Sequence, residues 1–75
     1  MTLDALALGV PARVLGYAGL AAFDKDRLAG LGLRPGVSVV KVLKTPLRDP
    51  VECLVGSQLL AIETRLLTHI RVEAA

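Results

Sequence analysis

The residue types that most often bind metals or act as nucleophiles are scarce in this chain. Its 75 residues include one cysteine, Cys53, and one histidine, His69. A structural zinc site needs four ligands, and a catalytic zinc site usually has three from the protein. Cys53 lies in phase with Val51 and Val55, which predicts a buried thiol. His69 is expected to be solvated or locally hydrogen-bonded, so we predict no metal site within one chain; a weak site shared between two copies stays open.

The carboxylates are also poorly placed for acid–base catalysis. Asp24 and Asp26 are close in sequence, but both suit the capping of a helix or its positive N-terminal end. Asp49 precedes a proline and is expected to stabilise a turn. The sequence offers no Ser/His/Asp or Cys/His arrangement. We therefore expect a protein that is not an enzyme, with no catalytic residue and no cofactor site.

Three glycines, Gly30, Gly32 and Gly36, superficially suggest a phosphate-binding loop. They do not have the Walker A spacing, and the Lys-Ser/Thr ending of that motif is missing. A structural interpretation fits better, because Gly32 can end a helix in the left-handed C′ conformation without steric cost. Pro35-Gly36 then predicts a tight turn before a strand of β-branched residues.

The remaining elements are mostly short strands. Their predicted ranges are residues 12–17, 37–44, 51–55, 58–62 and 69–73. One short helix, with Leu28 and Leu31 on one face, is predicted between the first two strands, and residues 63–68 are expected to form a single helical turn. Many short strands in so few residues predict a mainly β fold that forms a small closed or nearly closed barrel, because closure removes exposed strand edges.

Composition excludes several classes of protein. Hydrophobic residues make up 53% of the chain but aromatic residues only 3%, so the core must be aliphatic. The net charge of +2 is scattered, and Tyr17 and Phe23 are the only aromatics, so a nucleic-acid-binding barrel is the weakest hypothesis. No apolar run is long enough to span a membrane. A single cysteine fits a reducing cytoplasm.

The most specific prediction concerns a hairpin. Only Gly56 and Ser57 separate the third strand from the fourth, and a two-residue Gly-Ser connection is typical of a type II′ turn. This turn places Leu54 opposite Leu59. If Cys53 points inward, Leu54 and Leu59 are cross-strand neighbours that point outward.

Leu66 and Leu67 are expected to join these hairpin leucines, because two adjacent residues cannot easily both face a thin core. Two or three of these four leucines are expected to form one exposed apolar patch that binds a partner protein or forms a homo-oligomer. One alternative is that the N-terminal segment, with Leu3 and Leu6, covers them. An error in the hairpin register would also remove the patch.

The basic residues are spread over several predicted elements, and we expect them to be solvated. They include Arg13, Arg27, Arg34, Lys41, Lys44 and Arg48. A shallow basic patch near residues 44–48 would suit an acidic partner surface, and salt would weaken such docking.

Several blocks of the sequence resemble the FeoA family in residue type and order. The matching residues are Leu28, Leu31, Gly32, Leu33, Pro35 and Gly36, then Pro46, Leu47, Asp49 and Pro50, and finally Ile62, His69, Ile70 and Val72. The resemblance extends over nearly all of residues 1–75. It implies a single domain with the SH3-like β-barrel of that family, here with five strands.

The resemblance also implies a function. FeoA proteins occur beside the ferrous-iron transporter FeoB, whose cytoplasmic part is a GTPase, so the chain would be a small cytoplasmic accessory or regulatory protein that acts by protein contact. The chain starts at a methionine without a helix-turn-helix region and therefore resembles the free-standing form. The alternative is an SH3-like regulatory or peptide-binding module, related to the C-terminal domain of metal-dependent repressors of the DtxR type.

Overall fold

The structure is a computed structural model that describes residues 1–44, 46 and 48–75, with only the backbone of Lys44. Thr45 and Leu47, which we predict to lie in a loop, are outside the described residues. The elements are a 3₁₀ turn (Leu3–Ala5), β1 (Ala12–Tyr17), α1 (Ala22–Gly30), β2 (Ser38–Lys44), β3 (Val51–Val55), β4 (Gln58–Ile62), α2 (Thr64–Leu67) and β5 (Ile70–Ala74). Each predicted strand agrees with these bounds to within one residue. No helix in the described part is long and apolar enough to cross a membrane.

The five strands form one antiparallel sheet in the order β4-β3-β2-β1-β5. The N-terminal residues continue this sheet beyond β5. Thr2 forms a bridge with Arg71, and the N–H of Val72 donates to the carbonyl of Met1 at 2.9 Å. These residues occupy the outer edge of β5, and no ladder joins β5 to β4 in the described ranges. The mainly β class is confirmed, but the predicted closure into a barrel is not, since the sheet stays open.

Two bulges interrupt the sheet ladders. The pairing of β1 with β5 shifts between Val14 and Gly16, and the pairing of β2 with β3 shifts between Lys41 and Leu43. Each shift leaves one residue without a cross-strand partner at that point, and bulges bend and twist the strands that contain them.

The core between the sheet and the two helices is aliphatic, as the composition predicts. Alternate residues of β3 point into it, which gives the strand a period of two. The buried apolar side chains are Leu3, Leu6, Ala12, Val14, Leu28, Leu33, Val39, Val51, Cys53, Val55, Ile62, Leu66, Leu67, Ile70 and Val72.

The end of α1 confirms the predicted helix stop. Gly32 has φ +103°, and its N–H donates to the carbonyl of Ala29 at 3.0 Å, while the N–H of Leu33 donates to the carbonyl of Leu28 at 3.1 Å. These two bonds define a Schellman motif, and the buried side chains of Leu28 and Leu33 supply its hydrophobic contact. The structure does not bury Leu31, which is the C-cap residue and is 37% exposed.

Candidate protein-interaction surface

The β3–β4 hairpin places two leucines side by side on the outer face of the sheet. Leu54 lies directly opposite Leu59, and their exposed fractions are 38% and 59%. Gly56 has φ +60°, the positive value that either primed turn requires at its first central position. The predicted register and the exposure of these two leucines are confirmed.

β2 extends this surface to a third strand. Val40 lies opposite Leu54, so Val40, Leu54 and Leu59 form one rung across three strands. Residues two apart in a strand share a face, so the rung with Glu52 and Ala61 lies on the same side, and the β2 bulge brings Leu43, three residues from Val40, opposite Glu52. That rung consists of Leu43, Glu52 and Ala61. We define the hairpin face as Val40, Leu43, Leu54 and Leu59.

The hairpin face therefore includes two residues that the sequence prediction missed. Leu43 is 55% exposed and Val40 is half-buried. A signal for them was present in β2, where Val39, Val40, Val42 and Leu43 are all apolar. Consecutive apolar residues in a strand cannot all point to one side, so some of them must lie on the outer face.

Leu66 and Leu67 do not belong to this surface, and their predicted exposure is wrong. They are 1% and 2% exposed, because the one-turn helix α2 lies against the N-terminal 3₁₀ turn. Leu3 and Leu6 are buried in the same core cluster. The alternative that the N-terminal segment covers the leucines is thus correct for the α2 pair and wrong for the hairpin pair.

The outer surface of β1 and β5 has a different character from the hairpin face. Arg13 and Glu73 pair there across the two strands at 3.9 Å, and both side chains are exposed. Arg71 is also exposed. Leu15, at the β1 bulge, is the one large apolar side chain exposed in these strands.

A network of four charged side chains connects α1 to the start of α2. Asp24 accepts hydrogen bonds from both terminal nitrogens of Arg65 at 3.2 Å, and Arg27 donates to Glu63 at 2.8 Å. Arg65 also donates to Glu63 at 3.1 Å, and Arg27 lies 3.5 Å from Asp24. Two cations meet two anions, so the network is neutral and offers no surplus charge to a ligand.

The predicted capping role of Asp24 or Asp26 is wrong, but Asp24 does lie in the first turn of α1, at the positive end of the helix. The N-cap residue of α1 is Ala21, and no side chain bonds to the helix N-terminus there. The Asp24 carboxylate instead faces the Arg65 guanidinium, whose hydrogen bonds and charge hold the pKa of Asp24 below its usual value.

Lys41 is buried, which corrects its predicted place among the solvated basic residues. Its exposed fraction is 3%, and its Nζ donates to the carbonyl of Asp4 at 3.1 Å. Its own carbonyl accepts the N–H of Gly9 at 2.7 Å. Position 41 is in phase with the buried Val39, so strand alternation alone indicates that it points inward. Lys41 thereby fastens the N-terminal segment to the sheet.

Cys53 and His69 lie in environments suited to structural roles. Cys53 is fully buried, and this burial raises the pKa of its thiol to about 11, although the nearby charge of Lys41 opposes the shift. His69 Nδ1 lies 2.8 Å from the carbonyl oxygen of Ala18 and must donate a proton to it. Both observations confirm the predictions for these residues. The described ranges contain no group of three or more His, Cys, Asp or Glu that could hold a metal ion.

A family model described as the FeoA domain matches residues 1–74. The chain belongs to the FeoA family. A comparison with curated protein sequences finds no significant match.

Solved structures of FeoA proteins have the same fold as this family member. Iron(II) transport protein A from Clostridium thermocellum is 32% identical with a TM-score of 0.87, and the match covers 100% of this chain and 46% of that protein. The FeoA protein of Chlorobium tepidum is 30% identical with a TM-score of 0.90, over 99% of this chain and 70% of that one. This chain thus spans about half the length of the first of these two relatives.

A third FeoA structure, from Stenotrophomonas maltophilia, contains zinc. It is 32% identical with a TM-score of 0.81, and the match covers 97% of this chain and 89% of that one. That protein is described as a procaryotic SH3 domain protein and as a suggested activating factor of bacterial ferrous iron transport. The sheet of this chain accordingly has an SH3-like fold.

The FeoA motif residues lie at positions that shape the fold. Leu28, Gly32 and Leu33 end α1 as described, and the Pro35-Gly36 turn is closed by a bond from the Val37 N–H to the Arg34 carbonyl at 3.1 Å. The exposed Pro46 is the first residue of the second block, and a cis peptide bond joins Asp49 to Pro50 in the same block. Asp49 accepts the N–H of Thr64 at 2.8 Å and so holds this loop against the start of α2.

Proposed function

We propose that this chain is a cytoplasmic accessory protein of ferrous iron transport that binds the GTPase domain of a FeoB-type transporter through the hairpin face. The exposed rung of Val40, Leu54 and Leu59 is the observation that carries the proposal. An apolar surface that spans three adjacent strands is typical of a site for protein contact.

The chemistry of the described side chains supports a binding function rather than a catalytic one. The only thiol is buried, and burial raises its pKa to about 11. The only imidazole is hydrogen-bonded to a backbone carbonyl. The described residues form no pocket that a small ligand could enter. Regulation of transport by contact requires none of these features.

The size of the expected contribution can be bounded. Full burial of a leucine side chain stabilises a complex by about 1.5–3 kcal/mol relative to full exposure. Leu59 is already 41% covered, since its exposed fraction is 59%, so its contribution should be roughly half that amount. Such a contribution corresponds to about a tenfold change in the dissociation constant.

The alternative function, a peptide-binding module like the repressor domains, has less support. Grooves that bind extended proline-rich peptides are lined by aromatic side chains. This chain has only Tyr17 and Phe23, and the hydroxyl of Tyr17 donates to the carbonyl of Leu33. The hairpin face itself contains no aromatic residue.

The experiment that tests the proposal measures the affinity of the whole chain for a FeoB-type transporter, and the transporter's rate of GTP hydrolysis. Leu59→Lys and Leu54→Lys should each weaken binding about tenfold or more, because a charge would be buried at the contact. Leu15→Lys is the matched control, since it places the same side chain on the outer surface of β1.

Leu15→Lys should bind like the wild-type chain. Absence of wild-type binding together with an unchanged rate of GTP hydrolysis would overturn the transport role. Equal weakening by all three variants would show that the partner does not select the hairpin face. Face-to-face association of two copies would instead appear as a doubled mass without transporter that Leu54→Lys abolishes.

A further inference from the structure

The β5 edge of the sheet is covered by other residues of the chain, whereas the β4 edge is uncovered within the described ranges. The outer edge of β5 is covered by Met1 and Thr2, as described above. The pair that flanks a two-residue turn exchanges both ladder bonds, so in β4 the backbone groups of Leu59 and Ala61 point away from β3. Within the described ranges, nothing pairs with that side of β4.

β4 also lacks the features that normally prevent edge strands from pairing. Proteins protect such edges with proline, inward charges, bulges or covering segments. The five residues Gln58–Ile62 include no proline, no glycine and no charge. Their pairing with β3 is regular from end to end. β5, in contrast, carries Arg71 and Glu73 in addition to its N-terminal cover.

The sequence of β4 allows two copies of the strand to pair in antiparallel orientation. A twofold axis at Leu60 places Leu59 opposite Ala61 of a second copy, and Gln58 opposite Ile62. One step further, Ser57 meets Glu63 of the second copy, so no like charges face each other. All four outward backbone groups, two from Leu59 and two from Ala61, would find partners in the two hydrogen-bonded pairs of the single ladder formed.

We propose that two copies of this chain associate edge to edge through β4 and form a continuous ten-stranded sheet. Cross-strand neighbours lie on the same face, so Leu59 of one copy would lie beside Ala61 of the other. The two hairpin faces would then form a single apolar surface, still open to a partner. This arrangement goes beyond the proposed contact with a transporter and does not depend on it.

The test uses sedimentation equilibrium of the whole chain. The mass should rise from 7.9 kDa towards twice that value with increasing concentration. Ala61→Pro removes an outward N–H but no bond to β3, and proline is tolerated at such edge positions. It should weaken association at least tenfold. Ala61→Lys, which keeps the backbone intact and adds a charge to the edge, should do the same.

Leu54→Lys is the matched control for this association. It adds the same charge to the same face one strand away from the edge, so the dimer should persist while transporter binding falls. The proposal is overturned if the wild-type chain stays monomeric, or if folded Ala61→Pro and Ala61→Lys chains associate like the wild type. A foreign strand at this edge would give a monomer alone and a complex only with the transporter.

Cross-linking tests the register. Leu59→Cys mixed with Ala61→Cys should form a mixed disulfide on oxidation, because directly opposed residues satisfy the distance that a disulfide needs. Cys53 should not compete, since it is buried and burial raises its pKa to about 11. Mixed Leu54→Cys and Ala61→Cys chains should cross-link much less. Equal yields from the two mixtures would overturn the register.

Discussion

The hairpin leucines and the α2 leucines are the same residue type in adjacent parts of the sequence, yet the structure separates them completely. Leu54 and Leu59 are exposed, whereas Leu66 and Leu67 are buried. The difference arises from the N-terminal segment, which lies against α2 and leaves the hairpin uncovered. Exposure of a leucine in this small domain is therefore decided by which surface the distant N-terminus covers.

The largest effect that tests this contrast is expected at α2. Leu66→Ala should lower the free energy of unfolding by about 2–5 kcal/mol, because it removes buried methyl groups and leaves a cavity. In a domain of this size that loss lowers the melting temperature by about ten degrees or more. Denaturant and thermal unfolding measure it. A loss below about 1 kcal/mol would contradict the burial of α2 beneath the N-terminal segment.

The second effect concerns the attachment of the N-terminal segment. Lys41→Ala removes the bond to the Asp4 carbonyl and the packing of a buried stem, so we expect a loss of about 1–3 kcal/mol. The substitution should increase the rate of hydrogen exchange at the N–H of Gly9 and Leu6 more than it does in the β3–β4 ladder. Arg13→Ala, an exposed charge on β1, is the control. Unchanged exchange in the N-terminal segment would show that Lys41 does not hold it.

A smaller effect is expected from the charged network that joins α1 to α2. The folded pKa of Asp24 lies below its ordinary value of 3.8, so its ionised form stabilises the fold above that pH. This stabilisation is lost as the pH falls through the folded pKa. The stability difference between the wild-type chain and Asp24→Asn should thus be constant near neutral pH and shrink in acid.

Stability measured from about pH 7 to about pH 2 checks this prediction. Asp26→Asn is the control, because no bond from Asp26 to an arginine is seen in the described structure. A difference for Asp24→Asn that is undiminished at the acid end would mean that it does not arise from the Asp24 charge.

The smallest effect on stability should come from the hairpin face. Leu59→Thr keeps a side chain suited to a strand and removes little buried area, so the free energy of unfolding should change by no more than about 0.5 kcal/mol. Chemical denaturation of Leu59→Thr and Leu66→Ala under the same conditions compares the two losses directly. A loss similar to that of Leu66→Ala would place Leu59 in the core and remove the basis for the proposed contact.

Local features of the fold could be predicted from the sequence. The helix stop at Gly32 and the Leu54–Leu59 register depend on residues a few positions apart, and their turn chemistry admits few conformations. The inward side of Cys53 follows from a period of two. Even Lys41 follows that period, although its charge led to the prediction of a solvated side chain. These local features, including the Leu54–Leu59 pair of the hairpin face, could therefore be predicted residue by residue.

The remaining features depend on contacts between distant segments. The burial of Leu66 and Leu67, the pairing of Asp24 with Arg65 and the coverage of the β5 edge by Met1 all join residues more than forty positions apart or at opposite ends of the chain. No local pattern encodes where such segments meet. The strand order β4-β3-β2-β1-β5, which leaves the β4 edge unpaired within the described residues, is likewise a matter of tertiary structure.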